Sequence, residues 1–206
     1  MIKEKKINGK MFSYDEKNLT YETVRPITED EGKKILRKTK ELFDSVSLDF
    51  CLIYGTLLGA VRDKTIIKGD EDVDIYIEDE QKLLNNLFYL KEKGLILIRM
   101  IKGHIYTFSL NEDYYIDVYI LRPIRTLVFF PWAFHCCFLS AHVMPKKFFK
   151  EKQSIDFLGD TYYCPKNPKD LIKYIYGENW EYPVRGHKVR YRYEVISANK
   201  WRIFLH

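Results

Sequence analysis

Two aspartates, Asp72 and Asp74, stand two residues apart in Gly69-Asp-Glu-Asp-Val-Asp-Ile-Tyr-Ile77. On an extended strand such residues project to the same side, so their carboxylates would lie together while Val73 and Ile75 face the core. Like charges at that spacing repel. A cation that takes oxygen ligands and keeps part of its water shell, Mg2+ or Mn2+, would offset the repulsion beside a phosphate. A bare Asp-x-Asp is more often a solvated strand edge, but two further features argue against that here. Upstream, Gly55-Thr56 ends an apolar run, where bare N–H groups at a helix start can hold phosphate oxygens. Downstream, Asp117 sits in Tyr115-Ile-Asp-Val-Tyr119, among apolar neighbours where an unpaired carboxylate is costly.

The chemistry this combination suits is transfer of a phosphate group, which is catalysed mainly by positioning and by neutralising charge on the phosphate oxygens. Asp72 and Asp74 would then hold one or two metal ions against a diphosphate. Asp117 would bind a second ion and, as a base, take the proton of an attacking hydroxyl. Its alternative is a structural bond to a neighbouring strand or helix end. Arg62, one turn after Gly59, is a candidate to brace phosphate bidentately, with a surface arginine as the alternative. Thr56 is a candidate phosphate contact or a helix cap, and Gly55 a candidate phosphate-binding turn. Lys68 could reach a phosphate, although an exposed lysine is the plainer reading. Asp70 supports the site or serves a turn. His104, His135, His142 and His187 lack metal-ligand spacing, and none is assigned to catalysis.

The elements that must position these residues are legible in part. Thr28-Glu-Asp-Glu31 is a capping box, and Ile35, Leu42, Phe43 and Val46 carry a helical stripe to about Ser47. Phe50 to Tyr54 reads as a buried strand, broken by Gly55-Thr56 before a short helix from Leu57 to Arg62. Val73 to Ile77 is a second strand. A helix from about Glu80 to Lys93 follows, with Leu83, Leu84, Leu87 and Leu90 on one face, closed by Gly94. Runs at Leu95 to Met100, His104 to Leu110 and Tyr114 to Leu121 predict a meander. Met11 to Thr23 predicts a hairpin turning at Asp15 to Asn18. Asn167-Pro168 predicts a helix start and Gly177 its end. Pro131 and Pro145 limit regular structure between Arg122 and Ser154.

The motifs Gly55-Thr-Leu-Leu-Gly-Ala-Val-Arg62 and Asp70-Glu-Asp-Val-Asp74 resemble the LicD and fukutin-related group of the nucleotidyltransferase superfamily. That group reads Gly-Thr-Leu-Leu-Gly, then Arg, then an acidic cluster ending in Asp-Val-Asp. Tyr176-Gly177, Trp180 and Pro183 resemble its C-terminal ending, so the likeness spans about residues 32 to 183. It departs at Gly69 and Glu71, where the group commonly has Trp and Asp. The resemblance implies a polymerase-β-like α/β (α+β) fold, a mixed β-sheet flanked by helices. It also implies transfer of a substituted phosphate from a CDP-linked donor, such as CDP-choline or a CDP-polyol, to a glycan hydroxyl. Trp180 would stack on the donor or close the core. The rivals are a nucleotidyltransferase acting on a small-molecule hydroxyl and a relative that binds nucleotide or glycan without turnover.

At 206 residues the chain fits a single domain, with a hairpin over 1–27, a core over 28–183 and a basic tail over 184–206. The net charge of +5 is too mild to indicate nucleic acid but suits a phosphate-rich ligand or an anionic membrane surface. Four cysteines without a Cys-x-x-Cys pair argue against a zinc site and a disulfide framework, and a reducing cytosol is expected. The charged start Met-Ile-Lys-Glu-Lys-Lys has no apolar run behind it, so no secretory signal is expected. Leu127 to Met144 carries no formal charge but is short for a bilayer span of about 20 residues. The aromatic run Phe129 to Phe134 is expected as core, its rival being contact with a lipid-linked glycan at the inner membrane face. The basic residues from Arg185 to Arg202 are a solvated tail or an electrostatic membrane contact.

Overall fold

The computed structural model of the chain describes residues 1–19, 24–110, 113–124, 135–140 and 142–183. The aromatic run and the basic tail lie outside the described residues.

The central sheet runs in the order β3 (Cys51–Leu52), β4 (Val73–Ile77), β7 (Tyr115–Pro123), β6 (Ile105–Ser109), β5 (Ile96–Ile101). The meander β5-β6-β7 is antiparallel, and β4 then pairs with β7 in parallel. This is a mixed sheet, and β4, buried along all five residues, lies one strand in from its short β3 edge. β8 (Cys136–Leu139) extends from the far end of β7 and pairs with β9 (His142–Pro145).

Helix α1 (Glu29–Ser45) begins at the expected capping box, with Thr28 and Glu31 bonding reciprocally. It buries Ile35, Leu36, Thr39, Leu42 and Phe43 along one stripe. Helix α3 (Glu80–Glu92) buries its four leucines, and Gly94 beyond it takes φ +86°, open to glycine at little cost. Helix α4 (Pro168–Tyr176) starts on Asn167-Pro168 and stops at Gly177, although Asn167 makes no side-chain cap.

The N-terminal hairpin is present but turns elsewhere. Strands β1 (Ile2–Ile7) and β2 (Lys10–Asp15) are joined by Asn8-Gly9, both at positive φ, the pair that a tight right-twisted hairpin turn favours. Phe12 on β2 packs edge-on against Phe88 of α3, at 5.1 Å between ring centroids. A second hairpin, β10 (Lys152–Phe157) and β11 (Asp160–Pro165), was not foreseen from the sequence. Its outward residues are polar and its apolar ones few, so no long periodic run marks it. The short helix also begins earlier than expected: α2 spans Tyr54–Arg62, and β3 is only two residues long.

A carboxylate row across the sheet

Strand register assembles the site. Asp74 on β4 lies directly beside Asp117 on β7, Asp117 opposite Thr107 on β6, and Thr107 opposite Arg99 on β5. Register partners share a face, so four side chains form one row across four strands. Asp72, immediately before β4 and two residues from Asp74, joins the same cluster. One carboxylate oxygen from each of Asp72, Asp74 and Asp117 lies within 4.8 Å of the others.

The row depends on an irregularity in β5. Regular pairing would set Ile98 opposite Thr107, but register shifts between Leu97 and Arg99 and leaves Ile98 as an extra residue. A one-residue slip exchanges the faces of all that follows, so this bulge turns Arg99 toward Asp117. The Ile98 carbonyl accepts the N–H of Lys17 at 2.9 Å.

Each carboxylate has a distinct support. Asp117 accepts Arg99 Nη2 on both oxygens, at 2.9 and 2.8 Å, and the Thr107 hydroxyl on Oδ1. Arg99 Nε in turn donates to Thr107 Oγ1 at 2.8 Å. Asp74 accepts the N–H of Gly55 at 3.0 Å and a hydrogen bond from Tyr119. Thr56 Oγ1 accepts the backbone N–H of Asp74 at 2.7 Å, in a buried position. The glycine turn therefore meets the acidic strand itself. β3 runs antiparallel to β4, so its end delivers the first turn of α2 to the start of β4, with Ile53 N–H bonding Asp74 O at 3.2 Å.

This close approach explains Gly55. A Cβ there would stand 2.5 Å from Asp70 Oδ2 and 3.3 Å from Asp74 Oδ2, so any other residue displaces a carboxylate. A Cβ on Gly59 would meet the carbonyl oxygen of Thr65 at 2.5 Å, which makes it a packing glycine on the other side of α2. The expected cap role for Thr56 does not hold, because α2 starts at Tyr54 and its N-cap is Ile53.

Arg62 makes its contacts with Asp63 and Trp180. Its guanidinium grips Asp63 through Nε and Nη2 at 2.8 and 2.7 Å, and Nη1 donates to the Trp180 carbonyl at 3.3 Å. Trp180 is half-buried against the core, so Arg62 ties the segment after α4 to α2. Lys68 is exposed. His104 lies outside the row, its Nε2 3.3 Å from Arg122 Nη2.

Electrostatically the cluster is strained toward protonation. Burial, then Asp74, Asp117, Asp70 and Glu71, hold the Asp72 carboxyl well above the usual range. Burial, then Asp70 and Asp117, do the same to Asp74, against the opposing bonds from Gly55 and Tyr119. Asp117 is raised by burial although Arg99 and Thr107 pull it down. Burial pushes Asp70 up to about 6. A converging set of carboxylate oxygens that resists full ionisation, with no sulfur or imidazole among it, fits a divalent cation of the Mg2+ or Mn2+ class.

Residues 47–167 match the family model described as LicD/FKTN/FKRP, nucleotidyltransferase domain. The chain belongs to this family. The matched span takes in α2, the acidic strand and Asp117, and so contains the whole carboxylate row. Tyr176-Gly177 and Trp180 lie beyond it. No curated protein sequence matches the chain significantly. Among solved structures, the antibiotic-resistance factor ANT(2'')-Ia has a TM-score of 0.51 at 11% identity, covering 84% of this chain and 86% of its own. The lincosamide antibiotic adenylyltransferase LnuA, in its lincomycin-bound structure, has a TM-score of 0.47 at 13% identity, covering 70% of this chain and 84% of its own. At 11% identity the likeness to ANT(2'')-Ia concerns the fold. The LicD-family chain is thus a nucleotidyltransferase-like α/β protein, and among the described residues no helix is long and apolar enough to cross a membrane.

Arg99 and Thr107 escaped the sequence reading. A lone arginine in the run Leu95-Ile-Leu-Ile-Arg-Met-Ile101 was a usable signal, because a charge in an apolar strand needs a partner. The bulge that supplies the partner has no sequence mark of its own.

Proposed function

We propose that this LicD-family transferase moves a substituted phosphate, phosphocholine as first candidate, from a CDP-linked donor to a hydroxyl of a cell-surface glycan or lipid-linked oligosaccharide. The observation that carries this reading is the convergence of Asp72, Asp74 and Asp117 within a chain of this family. Asp72 and Asp74 would hold the metal ion, with Asp117 the third ligand. Bound there, the ion supplies charge neutralisation on the donor's diphosphate.

The chain's own residues do the rest. The Gly55 N–H and the Thr56 hydroxyl fix Asp74 from two directions, side chain and backbone, so the first turn of α2 acts on phosphate through that carboxylate. Asp117 already accepts three hydrogen bonds. A carboxylate offers about four lone-pair positions, so one remains, which favours the ligand role over that of a base. As the acceptor oxygen bonds to phosphorus, the bond to the CMP oxygen breaks and the hydroxyl proton leaves to a base or to water. Lys68, exposed beside the acidic segment, remains a candidate contact for the donor. The donor and acceptor would be met at the inner face of the membrane, in the cytoplasm.

The test is release of CMP by the purified protein with Mg2+ or Mn2+, given CDP-choline, CDP-ribitol, CDP-glycerol and CDP-ethanolamine with glycan acceptors. CMP released with one donor, and lost in Asp72→Asn, is the expected result. No CMP with any donor removes the reading. The second reading is nucleotidyl transfer to a small-molecule hydroxyl. It predicts a product that carries the nucleotide, which a mass measurement separates.

A further inference from the structure

The carboxylate row ends on a cation. Arg99 Nη2 sits between both oxygens of Asp117, and its Nε holds Thr107, so the guanidinium is fixed at two points. Its side chain is 27% exposed against 5% for Asp117, so it stands at the lip of the cluster with the acid beneath it. Among the described residues this is the ion pair that reaches Asp72, Asp74 or Asp117. The bulge at Ile98 is what places it there, and regular pairing would have put Ile98 opposite Thr107.

Resting on the metal reading above, we infer that Arg99 is a resident counter-cation: it keeps the acid cluster folded without a metal and weakens the cluster's hold on a free divalent ion. Both effects follow from one charge in one place. The guanidinium neutralises one of the repelling carboxylates, which stabilises the metal-free protein. The same positive charge repels an incoming cation and occupies three-quarters of Asp117's acceptor positions together with Thr107. The ion is therefore held weakly by the protein alone and firmly only when a donor's diphosphate adds its own negative charge and oxygen ligands. Arg99 is a positioning residue here: it acts through Asp117.

The experiment is Mn2+ binding measured calorimetrically on the full chain, with and without CDP, alongside the melting temperature of the metal-free protein. Arg99→Met is expected to bind Mn2+ without CDP about tenfold more tightly than wild type, or more. Its metal-free melting temperature is expected to fall, and its CMP release to drop despite tighter metal. Arg99→Lys keeps the charge and is expected to stay near wild-type affinity. A side chain that merely supported the fold would weaken binding on removal. Arg99→Met that binds Mn2+ equally or more weakly overturns the inference while leaving the metal site standing. If Arg99→Met does not fold, Arg99→Gln keeps a donor for Asp117 and removes the charge, and the same tightening is required of it. Wild-type protein that takes up no Mn2+ even with CDP overturns this inference and the metal reading together.

Discussion

The acid cluster and the Arg62 brace are two ways of holding carboxylates. At the brace, Asp63 meets Arg62 one for one, bidentately, and the remaining guanidinium nitrogen closes on the Trp180 carbonyl. Charge and hydrogen bonds balance there. At the cluster, Asp70, Asp72, Asp74 and Asp117 crowd one end of the sheet with Arg99 as the cation in contact. The donors there are a backbone N–H, a threonine and a tyrosine, which orient carboxylates without cancelling their charge. The first arrangement stabilises the fold and the second withholds stability for a ligand, since unpaired buried charge is costly. Motif position alone would have put Arg62 and the acids in one site. Their partners separate them.

The strongest way to break this contrast is Asp74→Asn. An asparagine keeps an oxygen for Gly55 and Tyr119 but removes a repelling charge. CMP release is expected to fall on the order of a thousandfold. The metal-free melting temperature is expected to rise, and the Mn2+-induced rise to vanish. A variant that is both inactive and less stable would show that Asp74 serves the fold. Next in size is Gly55→Ala. The added Cβ meets Asp70 Oδ2 at 2.5 Å, so a loss of about 1–3 kcal/mol is expected from crowding. Turnover should fall along with it because Asp74 loses its geometry. Denaturant unfolding and CMP release measure the two.

Legibility followed the same divide. Local chemistry could be read directly: the Thr28 capping box, the α3 leucine stripe, the β4 boundaries and the Gly177 stop all stand where residue type put them. The three aspartates were found from spacing and from the cost of burying Asp117. What could not be read was set by pairing between distant strands. The partner of Asp117 depends on a one-residue shift in β5, and Thr56 bonds a backbone group eighteen positions away. Arg62 faces Trp180 across 118 positions. The hairpin turn was misplaced for a plainer reason: Asn8-Gly9, a strong turn signal at positive φ, lies ahead of the alternating run that drew the turn to Asp15 to Asn18.

A smaller effect should appear in the pH dependence of the metal-free protein. Asp70, Asp72 and Asp74 have folded values above the ordinary aspartate value near 3.9. The folded state then binds more protons than the unfolded one above that pH. Their contribution to stability is complete below about 4 and is lost as pH rises, past about 6 for Asp70 and beyond for the other two. The opposite holds for Glu31, which Arg25 and Thr28 hold down to about 2, so its contribution fades only in stronger acid. Metal-free protein should therefore melt highest near pH 4 and lower at pH 7, and Mn2+ should remove most of that decline. A metal-free melting temperature that climbs from pH 4 to pH 7 would mean that the cluster is already neutralised.

The smallest effect is expected at the brace. Arg62→Met keeps the packing length, breaks the grip on Asp63 and frees the Trp180 carbonyl, in a side chain only 11% exposed. Loss of hydrogen bonds to a charged group in such a position costs about 1.5–3 kcal/mol, reduced here because Asp63 can turn to water. A fall in melting temperature of a few degrees is expected. CMP release at saturating donor should hold within about twofold and KM for the donor should stay put, because Asp63 and the Trp180 carbonyl already engage this arginine. A KM raised tenfold with unchanged stability would return Arg62 to the donor. It would also mean that Asp63 releases the guanidinium on binding, and that the balanced pair is itself a switch.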